Sequence, residues 1–127
     1  MPATKQRKPI SGRVSEENER QLRALARQER RTVSQVLARL VEEGLRMRRH
    51  PGITFVDGPQ GRRAHLAGTG FDVWEVVALH RAYEGDVARL LGDHPGLDRR
   101  EIEIAVAYGE AHSDEIDGFL NENDQAG

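Results

Sequence analysis

The hydrophobic positions of this chain change period several times, and each change marks an element. Between Lys8 and Ser15, Ile10 and Val14 alternate with Ser11 and Arg13 at the two-residue period of a strand, a short one with no strand-like neighbour in sequence. From Ser15 the period becomes helical. Ser15 suits an N-cap, Glu16, Glu17 and Glu19 fall in the first turn where the helix dipole favours negative charge, and Leu22, Leu25 and Ala26 form a narrow apolar stripe. This helix is predicted to stop near Arg30. Thr32-Val33-Ser34-Gln35 then has the form of a capping box, in which the Thr32 hydroxyl accepts from the Gln35 amide and the Gln35 side chain reaches back to Thr32. The second helix places Val33, Val36, Leu37, Leu40, Val41 and Leu45 on one wide face and ends in the cations Arg46, Arg48 and Arg49.

His50-Pro51-Gly52 breaks the pattern. Residues 53–56 and 62–66 flank the turn-forming run Asp57-Gly58-Pro59-Gln60-Gly61 and predict a small hairpin. Ala67-Gly68-Thr69-Gly70 lacks the lysine and full glycine spacing of a phosphate loop and is read as a turn. Asp72 with Glu75, Asp86, and Asp98 with Glu101 cap three further helices carrying Val73, Val76 and Val77, then Val87, Leu90 and Leu91, then Ile102, Ala105 and Val106. Trp74 is assigned to the core. Beyond them Ile116, Phe119 and Leu120 give an acidic last segment an apolar edge. The expected fold is mainly α, with one strand and two helices at the N-terminus, a hairpin, and a helical domain of three to four helices with a helix-turn-helix arrangement. The boundaries drawn are a flexible basic tail (1–7), a first module (8–50), a hairpin and linker (51–70), a helical domain (71–120) and a flexible acidic tail (121–127).

Charge sharpens this division. The whole chain carries a net charge of −2, but residues 1–50 hold 13 Lys and Arg against 6 Asp and Glu, whereas residues 51–127 hold 6 against 15. A basic first module suits a polyanion; the acidic remainder suits a basic partner or water alone. The 127 residues include no cysteine, which excludes disulfides and thiolate metal sites and fits a reducing, cytoplasmic setting. No run approaches the ~20 apolar residues of a membrane span. The five histidines, His50, His65, His80, His94 and His112, lack the helical spacing of a zinc pair, and no serine lies in a nucleophile motif, so neither catalysis nor a cofactor is expected. Asp114, Glu115 and Asp117 are acidic enough for a divalent cation but come without a pocket in sequence.

One strand and two amphipathic helices leave an open apolar face, and pairing two copies would close it. The order strand, Ser-Glu-Glu, Leu-x-x-Leu-Ala, Arg-Thr-Val-Ser-Gln-Val-Leu and Leu-Val-x-x-Gly-Leu over residues 8–48 resembles the ribbon-helix-helix family of bacterial DNA-binding proteins. The resemblance implies a homodimer whose two strands form an antiparallel ribbon in the major groove. On this chain it assigns base reading to Ser11 and Arg13, with Pro9 at the groove edge. It assigns phosphate anchoring to Thr32 and Ser34 at the start of the second helix, and salt-sensitive attraction to Lys5, Arg7 and Lys8. Gly12 takes an inward position and Pro9 donates no ladder hydrogen bond, so the ribbon is expected to be short.

Over residues 51–118, Leu66-Ala67-Gly68-Thr69-Gly70-Phe71-Asp72-Val73, Asp93-His94-Pro95-Gly96-Leu97 and Ala105-Val106-Ala107-Tyr108 resemble a second family, VapB-type antitoxins that accompany PIN-like ribonuclease toxins. His94 and Gly70 depart from it, standing where that family has Tyr and often Arg. Together the two resemblances imply an antitoxin that represses its own operon on operator DNA and blocks a PIN-like toxin through its acidic half. Toxin contacts then fall to Arg62 or Arg63, as an inserted cation, and to Ile116, Phe119 and Leu120. A stand-alone dimeric transcription regulator and a DNA-independent dimeric adaptor are the alternatives.

Overall fold

The computed structural model describes residues 7–126. Its elements are helices α1 (Glu16–Glu29) and α2 (Val33–Arg49), strands β1 (Ile53–Gly58) and β2 (Gly61–Leu66), and helices α3 (Val73–Ala82), α4 (Val87–Asp93), α5 (Arg99–Ala111) and α6 (Ser113–Ala126). The fold is mainly helical with one two-stranded antiparallel hairpin. The chain separates into two compact units, Met1–Val41 and Glu42–Gly127.

In the first unit, the Ser15 hydroxyl accepts from the Asn18 amide at 3.1 Å and starts α1. Arg30 ends the helix in the left-handed conformation (φ 57°), its N–H directed back to the carbonyls of Ala26 and Arg27. The capping box of α2 forms as read, with Gln35 N donating to Thr32 Oγ1 at 3.1 Å and Thr32 N to Gln35 Oε1 at 3.0 Å. A two-pronged Arg39–Glu29 contact ties α2 to the end of α1. The strand expected over residues 8–15 is not formed in the single chain: residues 7–15 are irregular and exposed. The physical reason is that a strand is held by ladder hydrogen bonds to another strand, and no described residue of this unit offers one. Lys5 and most of the basic tail lie outside the described residues.

In the second unit, β1 and β2 pair from Ile53↔Leu66 to Gly58↔Gly61. The connection is therefore the two-residue turn Pro59-Gln60, tighter than the loop read from sequence, and Gly61 supplies a φ of 104°. Alternation along β2 buries Ala64 and Leu66 against a core of Val73, Val76, Val77, Leu90, Leu97, Ile102, Ala105, Tyr108 and Ile116. Trp74 packs against this core, as assigned. Four helices build the domain, the upper number expected, and the last of them, α6, runs on through residues 121–126, where the sequence suggested an acidic tail. The unit boundary also differs from the one drawn after His50. The last turns of α2 join the second unit because Glu43 holds Arg62 through two hydrogen bonds of 2.9 Å, and Arg46 reaches Tyr108 and Glu115.

Candidate functional site

The first unit buries very little. Among its described residues only Ala26 and Val36 are buried. Its larger apolar side chains remain in water, with Ile10 97%, Val14 54%, Val41 54% and Leu37 43% exposed. An open groove of about 610 Å³ is lined by Val14, Leu22, Leu25, Leu37 and Leu40, with Asn18, Gln21 and Gln28 also along it. Helix periodicity places the leucines there, on the apolar stripe of α1 and the wide face of α2, which bury Ala26 and Val36 and leave their flanks in water, while Val14 reaches the groove from the segment before α1.

The residues assigned to DNA occupy this unit in two places. Arg7, Lys8, Ser11 and Arg13 lie on the exposed segment before α1. Thr32 and Ser34 flank the start of α2, where Thr32 already caps the helix with its hydroxyl and Ser34 is exposed. The first amides of a helix have no intrahelical acceptor, so this end of α2 keeps donors for an anion. Among the described residues no hydrogen bond or ion pair joins the two groups into one cluster.

The residues assigned to toxin contact are largely engaged inside the second unit. Arg62 bonds Glu43 and lies 3.3 Å from Asp57. Hydrogen bonds to Glu43 raise its pKa further, against an opposing effect of burial. Arg63 donates from Nε to Asp72. Asp72 also takes His65 Nδ1 at 2.8 Å and Trp74 Nε1 at 3.2 Å. Burial alone would raise the Asp72 pKa, but the hydrogen bonds from His65 and Arg63 outweigh it and hold the carboxyl below its ordinary range. Ile116 is core, and Leu120 packs against that core, while Phe119 is half-buried. The apolar edge of α6 thus turns inward, and Ile116 offers no surface to a partner.

Sequence reading missed two polar clusters. In the first, His65 Nε2 meets the Thr69 carbonyl at 2.7 Å while Nδ1 meets Asp72, so both ring nitrogens face oxygen acceptors and the ring clamps the β2–α3 connection. The two-residue period of β2 was a usable signal, since it sets Arg63 and His65 on the face opposite the buried Ala64 and Leu66. In the second, Arg46 Nη1 donates to Tyr108 Oη and to Glu115 Oε1 at 2.9 Å each, and Tyr108 donates to Glu115 Oε2 at 2.7 Å. Burial first, and then Glu115, raise the Tyr108 pKa. The rings of His50 and His112 pack on Tyr108 with centroids 5.2 and 4.5 Å away. Nothing local in sequence announces a triad whose members lie at 46, 108 and 115.

Among the described residues no group of three or more His, Asp or Glu is placed to hold a metal ion, and no helix is long and apolar enough to cross a membrane. Asp114, Glu115 and Asp117 follow the same rule: Glu115 is bonded to Arg46 and Tyr108, and Asp117 to Arg81 at 3.1 Å. Comparison of the chain with protein-family models, with curated proteins and with solved structures gives no match in any of the three.

Proposed function

We propose that this chain is a dimeric DNA-binding transcription regulator whose first unit pairs with a second copy through the uncovered apolar faces of α1 and α2 and the segment before α1. The observation that carries the reading is that face: a unit with two buried side chains leaves Val14, Leu37, Leu40 and Val41 in water. Burying such side chains contributes about 1.5–3 kcal/mol each, and an isolated unit this small has little else to offset its chain entropy. Pairing would also give residues 8–15 the ladder partner they lack, and it would set Arg13 and Ser11 of both copies side by side for the major groove. The first unit carries 10 Lys and Arg against 4 Asp and Glu, which supports a polyanionic ligand.

The test combines sedimentation velocity with mobility-shift titration on the DNA upstream of its own gene. Leu37→Asp, at a position already exposed in the single chain, is expected to give a monomer whose second unit stays folded and which no longer binds that DNA specifically. Arg13→Ala is expected to keep the dimer and to weaken specific binding by ~1–3 kcal/mol. A wild-type chain that sediments as a monomer at working concentrations sinks the proposal.

A second reading, an antitoxin that also sequesters a PIN-like ribonuclease toxin, has the charge division in its favour. The second unit holds 17 Asp and Glu against 9 Arg, so it is repelled by DNA and left for a protein partner. For the same reason DNA reading by its helices is not part of the proposal. Co-purification with a small nuclease encoded beside the gene separates this reading from the first.

A further inference from the structure

The second unit contains nine arginines, and five are engaged within it. Arg46 is held by Glu42 and Glu115, Arg62 by Glu43 and Asp57, Arg63 by Asp72 and Arg81 by Asp117. Arg89 lies over the Tyr83 ring, 5.4 Å from its centroid. The remaining four, Arg48, Arg49, Arg99 and Arg100, have no carboxylate partner among the described residues, although acidic side chains outnumber basic ones here. They form two sequence pairs, one at the end of α2 and one at the start of α5. The fold brings a member of each pair, Arg49 and Arg100, to the lining of a single open groove of about 340 Å³. Pro51, Ile104 and Ala107 give this groove an apolar lining, and His50 and Glu103 complete it.

We propose that this groove docks an acidic peptide segment of a partner protein, with a carboxylate held by Arg49 and Arg100 and a neighbouring apolar side chain laid on Pro51, Ile104 and Ala107. Charge complementarity selects the occupant. Two unengaged guanidinium groups on an otherwise acidic unit are a local positive site, and the guanidinium fork matches a carboxylate with two parallel hydrogen bonds. The apolar lining is wasted on a simple anion but rewards a peptide that carries Leu, Ile or Phe beside its acid. Glu103 inside the groove and the acidity of the unit around it repel any anion, and the cost grows with its charge, so one carboxylate seated between the two arginines is tolerated better than a continuous run of phosphates. His50 supports the assignment: burial, then Arg49 and Arg46, lower its pKa, so this corner of the groove is already crowded with positive charge and gains from an incoming anion. The site lies wholly in the second unit and stands independently of dimerisation and DNA binding by the first.

The experiment uses the full chain and fluorescein-labelled 12-residue peptides in which Asp or Glu flanks Leu or Phe, followed by fluorescence anisotropy. Controls replace the acids by Lys, or the apolar residues by Ser, and labelled 12-nucleotide single- and double-stranded oligonucleotides run in parallel. Acidic-apolar peptides are expected to bind and both control peptides to fail. The double variant Arg49→Gln, Arg100→Gln is expected to lose roughly tenfold or more in affinity, the worth of one charge-assisted hydrogen bond. Its thermal unfolding should match wild type, since neither arginine has an ion pair among the described residues, and Arg13→Gln should bind peptide normally. In the ¹H–¹³C spectrum the His50 ring signals should move on titration with peptide. The proposal is overturned if no peptide binds, if the double variant binds undiminished, or if the oligonucleotides displace the peptide from wild type. It is equally overturned if the double substitution changes the oligomeric state instead, which would make the groove a contact between copies.

Discussion

At the scale of single residues, the second unit is packed to the point where one hydrogen atom matters. Gly109 is buried in α5, and a methyl group there would come within 2.9 Å of Val77 Cγ2 on α3. The valine is branched at Cβ and has little rotamer freedom to yield. Gly109→Ala is therefore expected to destabilise the unit by ~1–3 kcal/mol through overpacking, reduced by up to ~1 kcal/mol from the better helix propensity of alanine. Urea unfolding followed by the fluorescence of Trp74, the single tryptophan, measures it. Val77→Ala in the same background should recover part of the loss. A Gly109→Ala protein more stable than wild type would contradict the close α3–α5 approach. From sequence alone this glycine is only an unfavourable residue in a helix; the reason for it is a contact with a residue 32 positions away.

At the scale of elements, what the sequence made legible is what rests on near neighbours. The caps at Ser15, Thr32 and Asp98 each form with a partner three residues on, so the bonds read from the residue types are the bonds found. Removing one should cost what a cap is worth. Thr32→Ala is expected to destabilise α2 by about 0.5–2 kcal/mol, visible as faster hydrogen exchange in the first turn of α2 with the exchange of α5 unchanged. Uniform exchange across both helices would show instead that the cap does not govern its own helix. The segment 8–15 marks the limit of such reading. Its period is that of a strand, yet a strand is defined by a partner, and the described residues of the first unit supply none. The hairpin of β1 and β2 carries its partner two residues away and forms.

At the scale of the whole molecule, the two units differ in how they are held, and pH acts on the second. The end of α2, His50, and the junction of α5 with α6, His112, meet around Tyr108. Burial first and then neighbouring cations, Arg49 and Arg46 for His50 and Arg46 for His112, lower both histidine pKa values. A base whose folded pKa is lowered resists protonation in the folded state, while the unfolded chain takes up the proton near its ordinary value of 6.5. The stability these rings contribute is therefore complete above pH 6.5 and is lost as the pH falls from there through the folded values. Asp72 adds a separate loss below its ordinary 3.8, because its folded pKa is also lowered. Urea midpoints read at Trp74 should thus decline between pH 7.5 and pH 5, and His50→Gln with His112→Gln should flatten the decline. An unchanged slope in the double variant would remove these two rings as its origin.

Taken alone, the amino-acid order determined the helices, their caps, the hairpin and the separation of charge, because each depends on residues a few positions apart or on simple composition. The surroundings of the residues assigned to partner binding were not legible in the same way. Only the fold shows that Arg62 is bonded to Glu43, Arg63 to Asp72, and that Ile116 lies in the core. Conversely, Arg49 and Arg100 mean little 51 positions apart and become a site when α2 and α5 bring them to one groove. Which charges are neutralised and which are left to act is decided by three-dimensional neighbours, since Coulomb and hydrogen-bond energies depend on distances of a few ångströms that only tertiary packing sets.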